Sequence, residues 1–264
     1  PALRADRAVA QRPSGRGGLW PKPRAHLWGG WQLWRRLHFN VPAVPGEGLK
    51  DLEVFYTRDA QAAAAFFGAW RRTRHFGLHI SRASVGNSSW PLRAAALHIA
   101  AGPRVLLFDM RSALGEVPRG LPRVLARQLE QRGRVFYGMG LDDGAARLAM
   151  ELDCVMSCVD FRRRAWPELN THGGLTGVAS RVLGMRLDGR LRPSLGSVGK
   201  RCTLAQLARA AEQAYASWAV ADHYLRHFGP LPAAFILTRA ELYWMGRAFK
   251  AVPKPRHDWR PARQ

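Results

Sequence analysis

Histidines, cysteines and paired acids are the side chains with which this sequence could do chemistry, and their spacing limits what that chemistry is. His75 and His79 stand four residues apart. On a helix that spacing would put two imidazoles within reach of one metal ion, whereas on a strand they share a face at a greater separation. The segment His75 to Ser81 reads as a strand, so both are expected as core or surface histidines. Cys154 and Cys158 form a CxxxC pair with no second Cys/His pair at finger spacing, and small buried side chains are the expected role. With Cys202 the count is three, which argues against a disulfide scaffold and for a reducing compartment. Asp142 with Asp143, and Glu151 with Asp153, could serve as acid and base pairs, but acids at a helix start are ordinarily dipole partners. No GxSxG elbow, P-loop or GxGxxG follows a strand, so triad hydrolysis and nucleotide cradling lack support.

Guanidinium groups offer a different chemistry. Lys plus Arg number 41 against 19 Asp plus Glu, a net charge of +22, and five of the 41 are Lys. A GC-rich genome by itself produces the excess of Arg over Lys; the excess of base over acid is the stronger sign of a polyanionic partner. The basic residues gather in clusters: Arg71, Arg72 and Arg74; Arg162, Arg163 and Arg164; and Arg186, Arg190, Arg192, Lys200 and Arg201 along a Gly/Pro-rich connection. Dispersed guanidiniums with flexible neighbours suit contact with the phosphates of a large RNA rather than base reading, the bland alternative being a solvated coat. Trp20, Trp28, Trp31 and Trp34, ahead of Arg35 and Arg36, and Trp259 near the end, supply flat faces that stack on bases, fill a neighbour's pocket or staple an arm to its own body.

The elements that must position these groups follow from periodicity. Residues 1–48 read as a basic Trp/Arg-rich arm, with Asp6 and Glu47 its only acids and no sustained apolar period. From Asp51 an α/β rhythm sets in: strands over 52–56, 75–81, 94–100, 104–109, 134–137 and 154–160, with helices over 60–70, 122–131, 144–151, 175–183 and 203–227. Gly86–Asn87 and Gly102–Pro103 mark turns. In the last helix Leu207, Ala211, Ala214 and Trp218 form one buried stripe. Residues 229–264 read as a helix over Arg239 to Phe249 followed by a second basic arm. Hydrophobic residues make up 47% of the chain, enough for a core, and no uncharged apolar run of about 18 residues is present.

The order of segments over residues 49–228 resembles the DEDD-type 3′–5′ exonuclease domain of the ribonuclease H-like fold, the branch of ribonuclease D and the Werner-type exonuclease. TLAQLARAAEQAYAS at Thr203 to Ser217 is similar to the final helix of that family. RVLLFDM at Arg104 to Met110, YGMGLDDGAARL at Tyr137 to Leu148, VDFRRRAWPEL at Val159 to Leu169 and GLTGVASRVLG at Gly174 to Gly184 resemble its other landmarks in the right order. The resemblance implies an α/β fold, a mixed sheet flanked by helices, here with extended N- and C-terminal arms. It also implies a site where two divalent metals are held by four carboxylates and hydrolyse phosphodiesters.

Carried across position by position, the paired acids of the first motif become His79 and Ser81 in GLHISR. The second motif has Gly144, and the Tyr and Asp of the last helix become Arg209 and Gln213. Two metals bring four positive charges, and these positions return no carboxylate while Arg209 adds a cation. The expectation is therefore a catalytically degenerate domain that holds no metal or other cofactor and turns nothing over. Its expected task is that of an rRNA- and protein-contacting subunit of a large ribonucleoprotein, most readily a ribosome of the mitochondrial matrix. The Arg-rich, acid-poor beginning at Pro1 is of the kind left near the cleavage site of organelle-imported proteins. Partners would be ribosomal RNA and neighbouring ribosomal proteins, with no transmembrane segment and no homo-oligomer. The alternatives are a free RNA-binding pseudo-exonuclease, an active exonuclease with recruited acids, or a supernumerary subunit of a membrane complex.

Overall fold

The computed structural model describes residues 34–42, 49–84, 92–110, 121–141, 149, 154–161, 174–187 and 203–230. Strands β1 (Trp34–Pro42), β2 (Leu49–Thr57), β3 (His75–Ser84), β4 (Leu92–Ala101), β5 (Arg104–Asp109), β6 (Val135–Gly138) and β7 (Cys158–Asp160) form one sheet in the order β1-β2-β5-β4-β3-β6-β7. β1 is antiparallel to β2, and β4 runs antiparallel to both β5 and β3. β2 and β5, β3 and β6, and β6 and β7 pair in parallel. Helices α1 (Ala60–Ala69), α2 (Arg123–Leu129), α3 (Gly174–Leu183) and α4 (Leu204–Phe228) complete the described elements. The expected mixed α/β sheet flanked by helices is what forms.

β5 shows why the central strands read as unbroken apolar runs. Val105 and Leu107 enter the core shared with α3 and α4, while Leu106 and Phe108 enter the core shared with α1 and α2, so both faces are dry. On the α1/α2 side aromatic rings pack in a chain, Phe66 edge-on to Phe67, Phe67 tilted against Phe76 and Phe76 stacked on Phe136, with centroids 5.4–5.7 Å apart. Each such ring contributes on the order of 2–3 kcal/mol through burial. The β4–β5 turn forms at Gly102, whose φ of 63° is costly for any residue with a Cβ, as the Gly-Pro pair implied.

Helix ends are set by local chemistry. The Asp59 carboxylate accepts from the Ala62 amide at 2.6 Å to start α1. At α4, Thr203 accepts from the Gln206 amide while the Gln206 side chain accepts from the Thr203 amide, a reciprocal cap. The stripe Leu207, Ala211, Ala214 is buried against the sheet and Trp218 packs at its margin.

One boundary differs from expectation. The segment 34–42, expected within an N-terminal arm ending at 48, is an edge strand of the sheet, and the compact unit that holds the sheet begins at Leu33. Leu37 and Phe39 pack against the α3/α4 core while His38 between them is exposed and meets Asp51 across the strand pair at 3.1 Å. An alternation this short, set among Trp and Arg, is too brief to register as a period. Among the described residues no helix is long and apolar enough to cross a membrane.

Candidate functional site

Alternation along β3 assigns Phe76 and Leu78 to the α1/α2 core and turns His75, Gly77, His79 and Ser81 toward α4. Gly77 is the crossing point. A Cβ there would run into the Ala214 carbonyl and the Trp218 amide, so only glycine lets the α4 backbone lie directly on the strand. Gln213 flanks this crossing and Arg209 stands one turn before it. The fold thus brings β3 and α4 together, with His79 and Ser81 on one element and Arg209 and Gln213 on the other.

Register adds a residue that motif reading missed. His98 on β4 lies directly opposite His79, and the two rings sit 5.3 Å apart at an interplanar angle of 35°. His98 is 1% exposed, and neither ring nitrogen has a hydrogen-bond partner among the described residues. Burial pushes the His79 imidazole down to about 4, with Arg82 adding to the effect. Burial also holds His98 well below the usual histidine range, and a charge on His79 would lower it further. At neutral pH both rings are therefore uncharged. Two further buried polar atoms on α4, Gln213 Oε1 and Ser217 Oγ, also lack partners among the described residues.

The next row of the same sheet face runs from Ser81 through Ala96 to Asp109. Ser81 is buried, and the register slips immediately after it. Asp109 closes β5 as a buried carboxylate, accepting from the Tyr56 hydroxyl at 2.8 Å and from Arg58 Nε and Nη2 at 3.1 and 3.0 Å. Burial works against the charge on Arg58, but Asp109 and Tyr56 outweigh it and raise the guanidinium pKa. The pair joins a buried carboxylate to a guanidinium at the surface, with its hydrogen bonds in place. The signal for it was a carboxylate ending an apolar strand; its partners sit 51 and 53 residues away and meet it only through the β2–β5 pairing.

His75 and His79 do not converge. Four positions of strand, roughly 13 Å, separate His75 from His79, and His75 itself turns to Tyr137, whose hydroxyl lies 3.1 Å from Nδ1. Burial lowers the His75 pKa with help from Arg74, partly offset by Asp222, and burial pushes the Tyr137 phenol up to about 12. Cys154 and Cys158 are buried in the α1/α2 core and are not joined in a disulfide. Among the described residues no group of three or more His, Cys, Asp or Glu side chains gathers where a metal could be held.

These residues do not fit a pair of divalent metals held by carboxylates. Hard cations need anionic oxygens. His79 and Ser81 offer an imidazole and a hydroxyl, Gln213 offers an amide, and the Asp109 carboxylate is engaged by Arg58 and Tyr56. Of the remaining sequence candidates, Arg71, Arg72 and Arg74 are exposed in the connection between α1 and β3. The backbones of Trp34, Arg35 and Arg36 belong to β1. Trp20, Trp28, Trp31, Gly144, Arg162, Arg163, Arg164, Arg190, Arg192, Lys200, Arg201 and Trp259 lie outside the described residues, as do the four acids at 142, 143, 151 and 153.

No protein-family model and no curated protein matches the chain. Solved structures do. The catalytic core of RRP6 from Trypanosoma brucei superposes with a TM-score of 0.53 at 11% identity, over 72% of this chain and 50% of that one. RNase D from Trypanosoma brucei, solved with GMP, gives 0.51 at 16% identity over 76% and 65%. RNase D from Escherichia coli, titled an exoribonuclease involved in structured RNA processing, gives 0.52 at 17% over 75% and 50%. The chain spans about half to two thirds of the length of these structures. At such identities the likeness is one of fold.

Proposed function

We propose that a chain with the fold of the DEDD-type 3′–5′ exonuclease domains serves here as a catalytically inactive, RNA-contacting structural subunit of a large ribonucleoprotein, specifically a ribosome of the mitochondrial matrix. The observation that supports the reading is the His79–His98 pair: a half-buried and a buried imidazole, both held neutral, face each other across β3 and β4 at the position that the resemblance assigns to the first metal-binding acid. An imidazole held neutral and a buried serine cannot offset the charge of two divalent cations. Gln213 in place of the last-helix acid acts in the same direction.

RNA is supported as the partner by the net charge of +22 and by the fold, since the Escherichia coli relative is titled an exoribonuclease. The ribosomal and mitochondrial parts of the reading rest on composition, the excess of 41 Lys plus Arg over 19 Asp plus Glu. Two measurements test it. Incubation with single-stranded RNA and Mg²⁺ or Mn²⁺ is expected to give no 3′ trimming, and trimming abolished by replacing acids of the chain would refute inactivity. Sedimentation of native extract is expected to place the chain with ribosomal particles and to release it on ribonuclease treatment. A chain that sediments alone in both conditions would refute the structural role.

A further inference from the structure

The parallel strands give the domain two poles. The site around His79, Ser81 and Asp109 lies toward the C-terminal ends of β3 and β5. At the opposite pole the connection after α1 carries Arg71, Arg72 and Arg74, all exposed. The Arg74 carbonyl accepts from the Val135 amide at 2.7 Å, which sets this connection against the turn that carries exposed Arg132. None of these four guanidiniums forms an ion pair among the described residues. The acids at this pole are otherwise occupied: Glu53 holds Arg104 at 2.6 Å, Asp222 holds Arg226 at 2.7 Å, and Glu130 accepts from the Val155 amide.

α4 ends at the same pole, since Asp222 is felt by His75 at the start of β3. Its last residue, Phe228, is 71% exposed and lies stacked on Tyr224 at 5.3 Å and 24°, so one flat face is braced from beneath and the other is open. Unpaired guanidiniums on two adjoining turns, with a braced aromatic ring at the same pole, make a surface for phosphates and an unpaired base. An acidic protein would satisfy the charge but would not call for the open ring.

We infer that this pole, formed by Arg71, Arg72, Arg74, Arg132 and Phe228, is the surface through which the domain docks on the phosphate backbone of a folded RNA, with the His79–Ser81 site facing away. The inference rests on the proposed RNA-contacting role and adds where the contact is made. Six residues of β3 separate His75 from Ser81, roughly 20 Å, so an RNA held at this pole does not occupy that site. The four arginines meet phosphates, and Phe228 stacks on a base in a loop or bulge.

The test uses the full chain and a labelled RNA hairpin with a single-stranded loop, titrated by fluorescence anisotropy over a range of salt concentrations. Each lost phosphate contact removes about 0.7 to 0.9 from the slope of log K against log salt. R71A/R72A/R74A/R132A is therefore expected to reduce the slope by about 3 and to weaken binding by about 100-fold or more at low salt. Phe228→Ala is expected to weaken the looped hairpin by about tenfold and leave a blunt duplex unaffected. R71K/R72K/R74K/R132K, which keeps the charge, should retain the slope, and that separates lost contact from misfolding. If Arg209→Gln on α4 weakens binding while the fourfold Ala variant does not, the pole assignment is overturned and RNA contact stands. Failure of the wild-type chain to bind the hairpin at low salt would overturn RNA contact itself. Displacement of the hairpin by polyglutamate at equal charge concentration would point to an acidic protein and overturn the RNA assignment.

Discussion

Acidification should unfold this domain through the histidine pair before carboxylates become the main cause. Both rings prefer to be neutral in the fold, with His79 pushed down to about 4 and His98 also well below its ordinary value. In the unfolded chain each takes up its proton near pH 6.5. Between about pH 6.5 and 4 the unfolded state thus binds more protons than the folded one, and stability falls as pH falls. His79 alone accounts for about 3 kcal/mol across that window, and His98 adds a loss of the same sign. Where each ring differs by a full proton between the two states, the slope is about 2.7 kcal/mol per pH unit. The measurement is urea denaturation of the wild type and of the His79→Leu/His98→Leu variant at intervals from pH 7.5 to 4.5. The variant should match or exceed wild-type stability at pH 7.5, because it removes two ring nitrogens of His98 that lack partners. It should also lose most of the pH slope. His75 and His223, which burial lowers as well, contribute equally to both proteins and cancel in the difference. Parallel pH profiles for the two proteins would refute the claim that the pair is buried and neutral.

Gly77→Ala should cost about 3 kcal/mol or more, because its Cβ would collide with α4 backbone that cannot yield without lifting the helix. Gly68→Ala, in α1 with open space around the site, should gain about 0.5 kcal/mol, and the contrast can be read from thermal denaturation of the two variants. Arg58→Ala should destabilise by about 2 kcal/mol, since it leaves Asp109 buried with only part of its hydrogen bonding. The Arg58→Ala/Asp109→Asn double variant should lose less than the two single losses added together, and additive losses in a denaturation cycle would contradict the coupling.

Most of the elements were legible because burial on both faces of the sheet leaves long apolar or Ala-rich runs, as in Arg104–Asp109 and Ala60–Ala69. α4 carried both a buried stripe and a capping box, so its start and inward face could be read together. β1 was obscured because its inward set is short and its partner strand supplies the order it lacks alone. At the site, His79, Ser81, Arg209 and Gln213 could be found from segment order, but His98 could not. Its place opposite His79 depends on the β3–β4 register, which no local pattern fixes. The Asp109–Arg58–Tyr56 cluster was hidden for the same reason, since it exists only once β2 and β5 pair.

The two halves of the proposed reading share one electrostatic cause. Carboxylates clustered for metal repel one another, so such a site is a source of instability whenever the metal is absent. In the proposed inactive domain, His79, Ser81 and Gln213 in their place would remove that repulsion, and the cost would be buried polar atoms, both His98 ring nitrogens and Gln213 Oε1, that lack partners among the described residues. A chain of net charge +22 has reason to accept the exchange. Its stability then depends on no bound cation, while its exposed guanidiniums, Arg71, Arg72, Arg74 and Arg132, stand at the opposite pole. A polyanion docked there would lower the self-repulsion of the folded chain and stabilise it by binding, which is the linkage a permanent structural subunit requires.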